Sequence, residues 1–182
     1  MNLKINLFSM VGRNMFRLPW LVYKIWKSKQ KKLVIRGLTD NEVSLAKSVY
    51  GELIDYDKVT IINCPYLPWQ PPGTFMAPNG CIFVNPEHYQ NDYAAQNLNY
   101  QGIFIHEMAH VLQYQRGVNV LWLGTVLQTA YYLSFKRYNP YKYVLQKGKS
   151  FFQYNIEQQG DIARDIFFKR IPNILLEPEK ER

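Results

Sequence analysis

The sequence predicts an α+β domain, mostly helical with a small sheet, and three observations carry that expectation. Apolar residues recur at helical spacing in four stretches, near residues 39–53, 101–117, 121–133 and 151–171. Two short β-branched or apolar runs, Val59-Thr60-Ile61-Ile62 and Cys81-Ile82-Phe83-Val84, fall between the first and the second of them. The length of 182 residues, 47% hydrophobic and 15% aromatic, suffices to bury one sizeable core and is too small for two ordinary domains.

The first helix is marked by Thr39-Asp40-Asn41-Glu42, a capping residue with polar and acidic groups ahead of Val43, Leu45, Ala46, Val49, Tyr50 and Leu53. About four turns are expected there. The two strands follow, joined by a long irregular connection containing Pro65, Pro68, Pro71, Pro72, Gly73, Pro78 and Gly80. Ordered connections of that length often shape binding sites. From Gln101 the pattern is helical again, with Ile103, Phe104, Met108, Val111 and Leu112 apolar and Gly117 as a stop. Leu121 to Leu133 is expected to be a helix packed in the core, too short and too interrupted by Gly124, Thr125, Gln128 and Thr129 to cross a bilayer. Asn139-Pro140 breaks the chain, and Phe151 to Ile171 is expected as the last helix, with Ile156, Ile162, Ile166 and Phe167 on its apolar side.

The net charge of +8 is unevenly placed. Residues 1–32 hold Lys4, Arg13, Arg17, Lys24, Lys27, Lys29, Lys31 and Lys32 and no acidic residue, so the rest of the chain balances to zero. A neutral body disfavours nucleic acid as partner. Arg13 and Arg17 interrupt the apolar residues of this arm, which argues against a secretory signal and a membrane span alike. The division expected is therefore a basic amphipathic arm (1–32), a folded domain (33–176) and a charged tail (177–182), with the arm suited to an anionic membrane or to an apolar patch on the body or a partner. Cys64 and Cys81 fit neither a disulfide framework nor a cysteine-rich zinc module and are expected to be buried free thiols.

The chemistry lies in His106-Glu107-Met108-Ala109-His110, an H-E-x-x-H match on a segment read as helical on independent grounds. Four-residue spacing puts both imidazoles on one face, with Glu107 beside them to act on a water. A hydrolytic zinc site needs a third protein ligand. No histidine follows His110, and His88 lies upstream in a turn-like context that suits the surface. Glu157 is the first carboxylate after His110 and the expected third ligand, and Asp161, one turn on, can accept the free ring N–H of a ligating histidine. Asp165 is the alternative partner a turn further.

The pair of motifs, His106-Glu107-Met108-Ala109-His110 and Glu157-Gln158-Gln159-Gly160-Asp161, resembles the gluzincin zinc peptidases, with H-E-x-x-H on one helix and E-x-x-x-D on a later one. More narrowly, residues 105–115, Asn139-Pro140-Tyr141 and Tyr154 to Asp161 resemble the small metallopeptidases associated with VgrG and Rhs proteins of bacterial type VI secretion. That resemblance spans roughly residues 38–170. It implies a minimal zincin-like fold, zinc on His106, His110 and Glu157, Glu107 as catalytic base, and a role as or beside an antibacterial effector, with a secretion-apparatus or immunity partner. The chain is then expected to be cytoplasmic in the producing cell and to be exported by a dedicated secretion system.

Together these readings point to zinc-assisted hydrolysis of a peptide or protein substrate. Tyr141, Tyr143 and Tyr154 are candidate donors to the oxyanion, and by analogy the Cys81–Val84 strand with its preceding loop is a candidate substrate rim. The alternative is a membrane-surface or interaction protein in which the zinc site is structural; a base such as Glu107 beside the histidines would have no purpose there.

Overall fold

The computed structural model describes residues 32–176, so the readings for the basic arm and the charged tail lie, but for Lys32, outside the described residues. The order is β1 (Ile35–Arg36), α1 (Asp40–Tyr50), β2 (Thr60–Ile62), β3 (Phe75–Met76), β4 (Cys81–Val84), α2 (Leu98–Gln115), α3 (Val120–Leu133) and α4 (Ile156–Phe167). The α+β expectation holds, with a mixed four-stranded sheet ordered β1-β2-β4-β3. The central pair β2 and β4 is parallel, registering Ile61 with Ile82, and β1 and β3 add antiparallel edges.

Local chemistry sets the element ends. Thr39 caps α1 through a reciprocal pair with Glu42, and Gly51 ends the helix at φ +53°, a conformation that costs glycine no Cβ clash. The helix has 11 residues, about three turns, and Leu53 lies beyond it and exposed. Asn97 caps α2 by accepting from Tyr100 N–H. In the long connection Gln70 acts as a clip, accepting from Tyr66 N–H and donating to the Thr74 carbonyl, which holds the chain for β3.

The core lies between the sheet and α2, whose Phe104, Ile105, Met108, Ala109, Val111 and Leu112 have no exposure; Ile61, Ile82 and Val84 face them from the sheet side and Ile162 and Ala163 come from α4. One charged group is equally buried. Glu42 accepts a bidentate pair from Arg36 at 2.7 and 2.8 Å and bonds from Thr39 and Tyr93 N–H, so its desolvation is compensated on every side.

Four readings are corrected. The sheet has four strands rather than two: β1 and β3 are two residues each, too short for any alternation to register. Cys81–Val84 is an interior strand; the edges are β1 and β3, and β3 lies inside the loop that precedes it. The helix at Leu121–Leu133 is not packed in the core, because Val120 is the one buried residue of α3. The last helical stretch is divided into a 3₁₀ turn at Phe151–Gln153 and α4, since Asn155 turns its side chain to cap a new helix start.

Candidate metal centre

α2 and α4 pack closely enough to share a site because glycines stand where they cross. A Cβ on Gly102 would come within 2.7 Å of Phe168, and one on Gly160 within 2.5 Å of the His106 ring. The Tyr50 hydroxyl donates to the Ile105 carbonyl, tying α1 to the turn that carries the motif. Asn155 fixes the first turn of α4, accepting from Glu157 and Gln158 N–H while its amide donates to the Pro140 carbonyl.

These constraints bring His106, His110 and Glu157 together, with one ligand atom from each within 4.8 Å of the others. Glu157 Oε2 stands 3.4 Å from His106 Nε2 and 3.6 Å from His110 Nε2. The other ring nitrogens are occupied: His106 Nδ1–H donates to Asp161 Oδ1 at 3.0 Å, and His110 Nδ1–H donates to Gln113 Oε1 at 2.9 Å. Both Nε2 atoms therefore face the carboxylate, as two imidazole ligands should. Glu107 is 6% exposed, and its Oε2 is buried without a hydrogen-bond partner among the described residues. A buried carboxylate oxygen left unpaired beside such a donor set fits a water and a cation in the space it faces. The residues present thus fit a divalent metal of the zinc class.

The same contacts shift the protonation equilibria of the cluster. Burial alone would lower the His106 pKa, but bonds to Asp161 and Glu157 hold it at about 10. His110 is likewise raised against its burial by Glu157. Burial tends to raise the Glu157 carboxyl, yet both histidines keep it well below the usual range, whereas burial pushes Glu107 upward.

The three candidate tyrosines separate. Tyr143 donates to Asp165 and Tyr154 hydroxyl donates to the Val144 carbonyl, so both hydroxyls are committed elsewhere. Tyr141 has its ring 6.4 Å from that of His106, and burial together with the carboxylates of Glu157, Glu107 and Asp161 pushes its pKa up. His88 stands against Tyr100, apart from the cluster. Asp165 pairs with Arg170 and Tyr143, leaving Asp161 to His106. The two cysteines are free and half-buried rather than buried, and burial raises both thiols.

Sequence reasoning missed Gln113 and Gln159. Gln113 Nε2 donates to the Ile156 carbonyl and to Gln159 Oε1, and Gln159 Nε2 donates to the Tyr154 carbonyl, so one amide chain runs from His110 into the base of α4. The available signal was a glutamine one turn past His110, directly after Val111-Leu112.

No protein-family model matches the chain. The type VI secretion system spike protein VgrG2b of Pseudomonas aeruginosa is 46% identical over 136 residues, which are 74% of this chain and 13% of that protein. The solved effector domain of Pseudomonas aeruginosa VgrG2b superposes with a TM-score of 0.69 at 39% identity, covering 86% of this chain and 88% of that one. The chain belongs to the family of the VgrG2b effector domain. The likeness to VgrG2b thus spans a small part of the spike protein's length and nearly all of its solved effector domain.

Proposed function

We propose that the chain is a zinc-dependent hydrolase of the gluzincin type, a metallopeptidase that serves as an antibacterial effector of a type VI secretion system. The observation that carries this is Glu107: a buried carboxylate with an unpartnered oxygen, beside two histidines whose Nε2 atoms converge on Glu157. A structural cation site has no use for it.

His106, His110 and Glu157 would hold the ion, with Asp161 and Gln113 orienting the rings. When bound, zinc supplies Lewis acidity for the scissile carbonyl and for a water. Glu107 takes the proton from that water and passes it to the departing amine; its burial raises its basicity toward the working pH. Tyr141 has its ring 6.4 Å from that of His106 and a hydrogen bond to Glu157, and its hydroxyl is the donor to the developing oxyanion. The free edge of β3 offers backbone groups to an extended peptide.

The test is metal content and peptide hydrolysis across three variants. Glu157→Ala is expected to lose the metal, and Glu107→Gln to keep it while turnover falls by about 10²–10⁴. Full activity in Glu107→Gln would sink the reading. Tyr141→Phe is expected to lower kcat by about 10–10³ with KM little changed; an unchanged kcat removes Tyr141 from the mechanism.

A further inference from the structure

α3 is the least explained element of the domain. Its 14 residues, VLWLGTVLQTAYYL, include no charged side chain, yet all but Val120 reach solvent. Trp122 is 64% exposed, Leu133 76% and Phe135, just beyond the helix, 88%, with Leu121, Leu123, Val126 and Tyr132 exposed beside them. Exposure of this kind is costly on a surface that meets only water. The chain also bends sharply to present it: Phe135 and Lys136 are both held at positive φ, 52° and 64°, where residues bearing a Cβ are strained.

The charge around this helix names its partner. From Val111 to Ile156 the sequence contains Arg116, Lys136, Arg137, Lys142, Lys147 and Lys149 and no aspartate or glutamate. Lys136, Arg137 and Lys142 follow α3 directly and are exposed. We propose that α3 and the segment after it are a docking surface for an anionic lipid bilayer, the helix lying in the interface with Trp122, Val126, Leu133 and Phe135 among the acyl chains and Lys136, Arg137 and Lys142 at the headgroups. At about 21 Å the helix is too short to cross a hydrocarbon core of about 30 Å and suits this flat placement. Trp and Tyr beside basic residues are the composition that a membrane–water boundary selects.

The position of the surface matters. α3 approaches the start of α4 at Gly124, where an added Cβ would stand 3.9 Å from Ile156, the residue before Glu157. Tyr141, at the far end of the same basic segment, lies near His106. A bilayer bound there borders the His106, His110 and Glu157 cluster.

Flotation of the full chain with vesicles tests this, using phosphatidylcholine alone and phosphatidylcholine with roughly one third phosphatidylglycerol. Binding is expected to the second only, and to weaken with salt. Trp122→Asp with Val126→Asp should abolish it, and Lys136→Gln, Arg137→Gln and Lys142→Gln together should reduce it by about a hundredfold, near fivefold per cation. Wild-type metal content and circular dichroism check that each variant folds, and the charge variant decides alone if the aspartate variant is unstable. Replacing Lys24, Lys27, Lys29 and Lys31 by Gln should leave the dependence on α3 intact. Absent binding, binding indifferent to phosphatidylglycerol or to α3, or binding lost only with the arm lysines overturns the proposal. So does a dimer that the aspartate variant splits while vesicles go unbound, which would give the face to a second copy of the chain.

Discussion

Each histidine of the centre commits its second ring nitrogen to a different partner, His106 to the Asp161 carboxylate and His110 to the Gln113 amide. Replacing either orienting group should loosen the ring it holds, so Asp161→Asn and Gln113→Leu are each expected to weaken metal affinity by about 10–100-fold, measured by competition with a chelator. Wild-type affinity in Gln113→Leu would show that its bonds to α4 serve packing alone. His106, Glu107 and His110 stand out in the sequence because spacing on one helix is a local property, whereas Glu157 is reached there only as the first carboxylate after His110. Gln113 shares that helix, but glutamine has too many ordinary uses for its type to signal a role. Tyr141 could not be ranked above Tyr143 and Tyr154, since the distinction lies in what each hydroxyl meets across the fold.

Among the elements, α4 depends most on its beginning. Asn155 closes a capping box with Gln158 and donates to Pro140, so Asn155→Ala is expected to cost about 1–2 kcal/mol, read as a lower denaturant midpoint, and to blunt metal uptake by fraying the turn that bears Glu157. An unchanged midpoint would show that packing against α2 alone fixes that turn. The caps of α1 were legible in Thr39 and Glu42 because a reciprocal cap has its own short signature. The placement of α3 was not: an uncharged apolar helix reads as buried by default, and only tertiary packing shows that most of its surface has no protein against it. β1 and β3 escaped notice because two residues carry no period, and they are strands by virtue of β2 and β4 beside them.

For the molecule as a whole, a bound ion would join α2 to α4, and removing it should be felt globally. With free zinc at about a hundredfold its dissociation constant, binding adds about 2.7 kcal/mol, so chelation is expected to lower the melting midpoint by roughly 5–10 °C. No shift would mean that the ion is absent or bound equally by the unfolded chain. The fold at the level of class was readable because helical periodicity and the β-branched runs are independent signals; sheet order was not, since pairing is settled between segments distant in sequence. The same distance bears on how the protein comes into being. The two histidines sit on one helix and can meet early, whereas Glu157 arrives only when some forty-six intervening residues have been looped back and α4 has docked on α2, with its Gly160 against His106 and Gly102 of α2 against Phe168. During refolding, a cobalt-loaded chain should therefore acquire its three-ligand absorption late, with the docking of α4 rather than with the formation of α2, so the competent site is among the last parts of the molecule to exist.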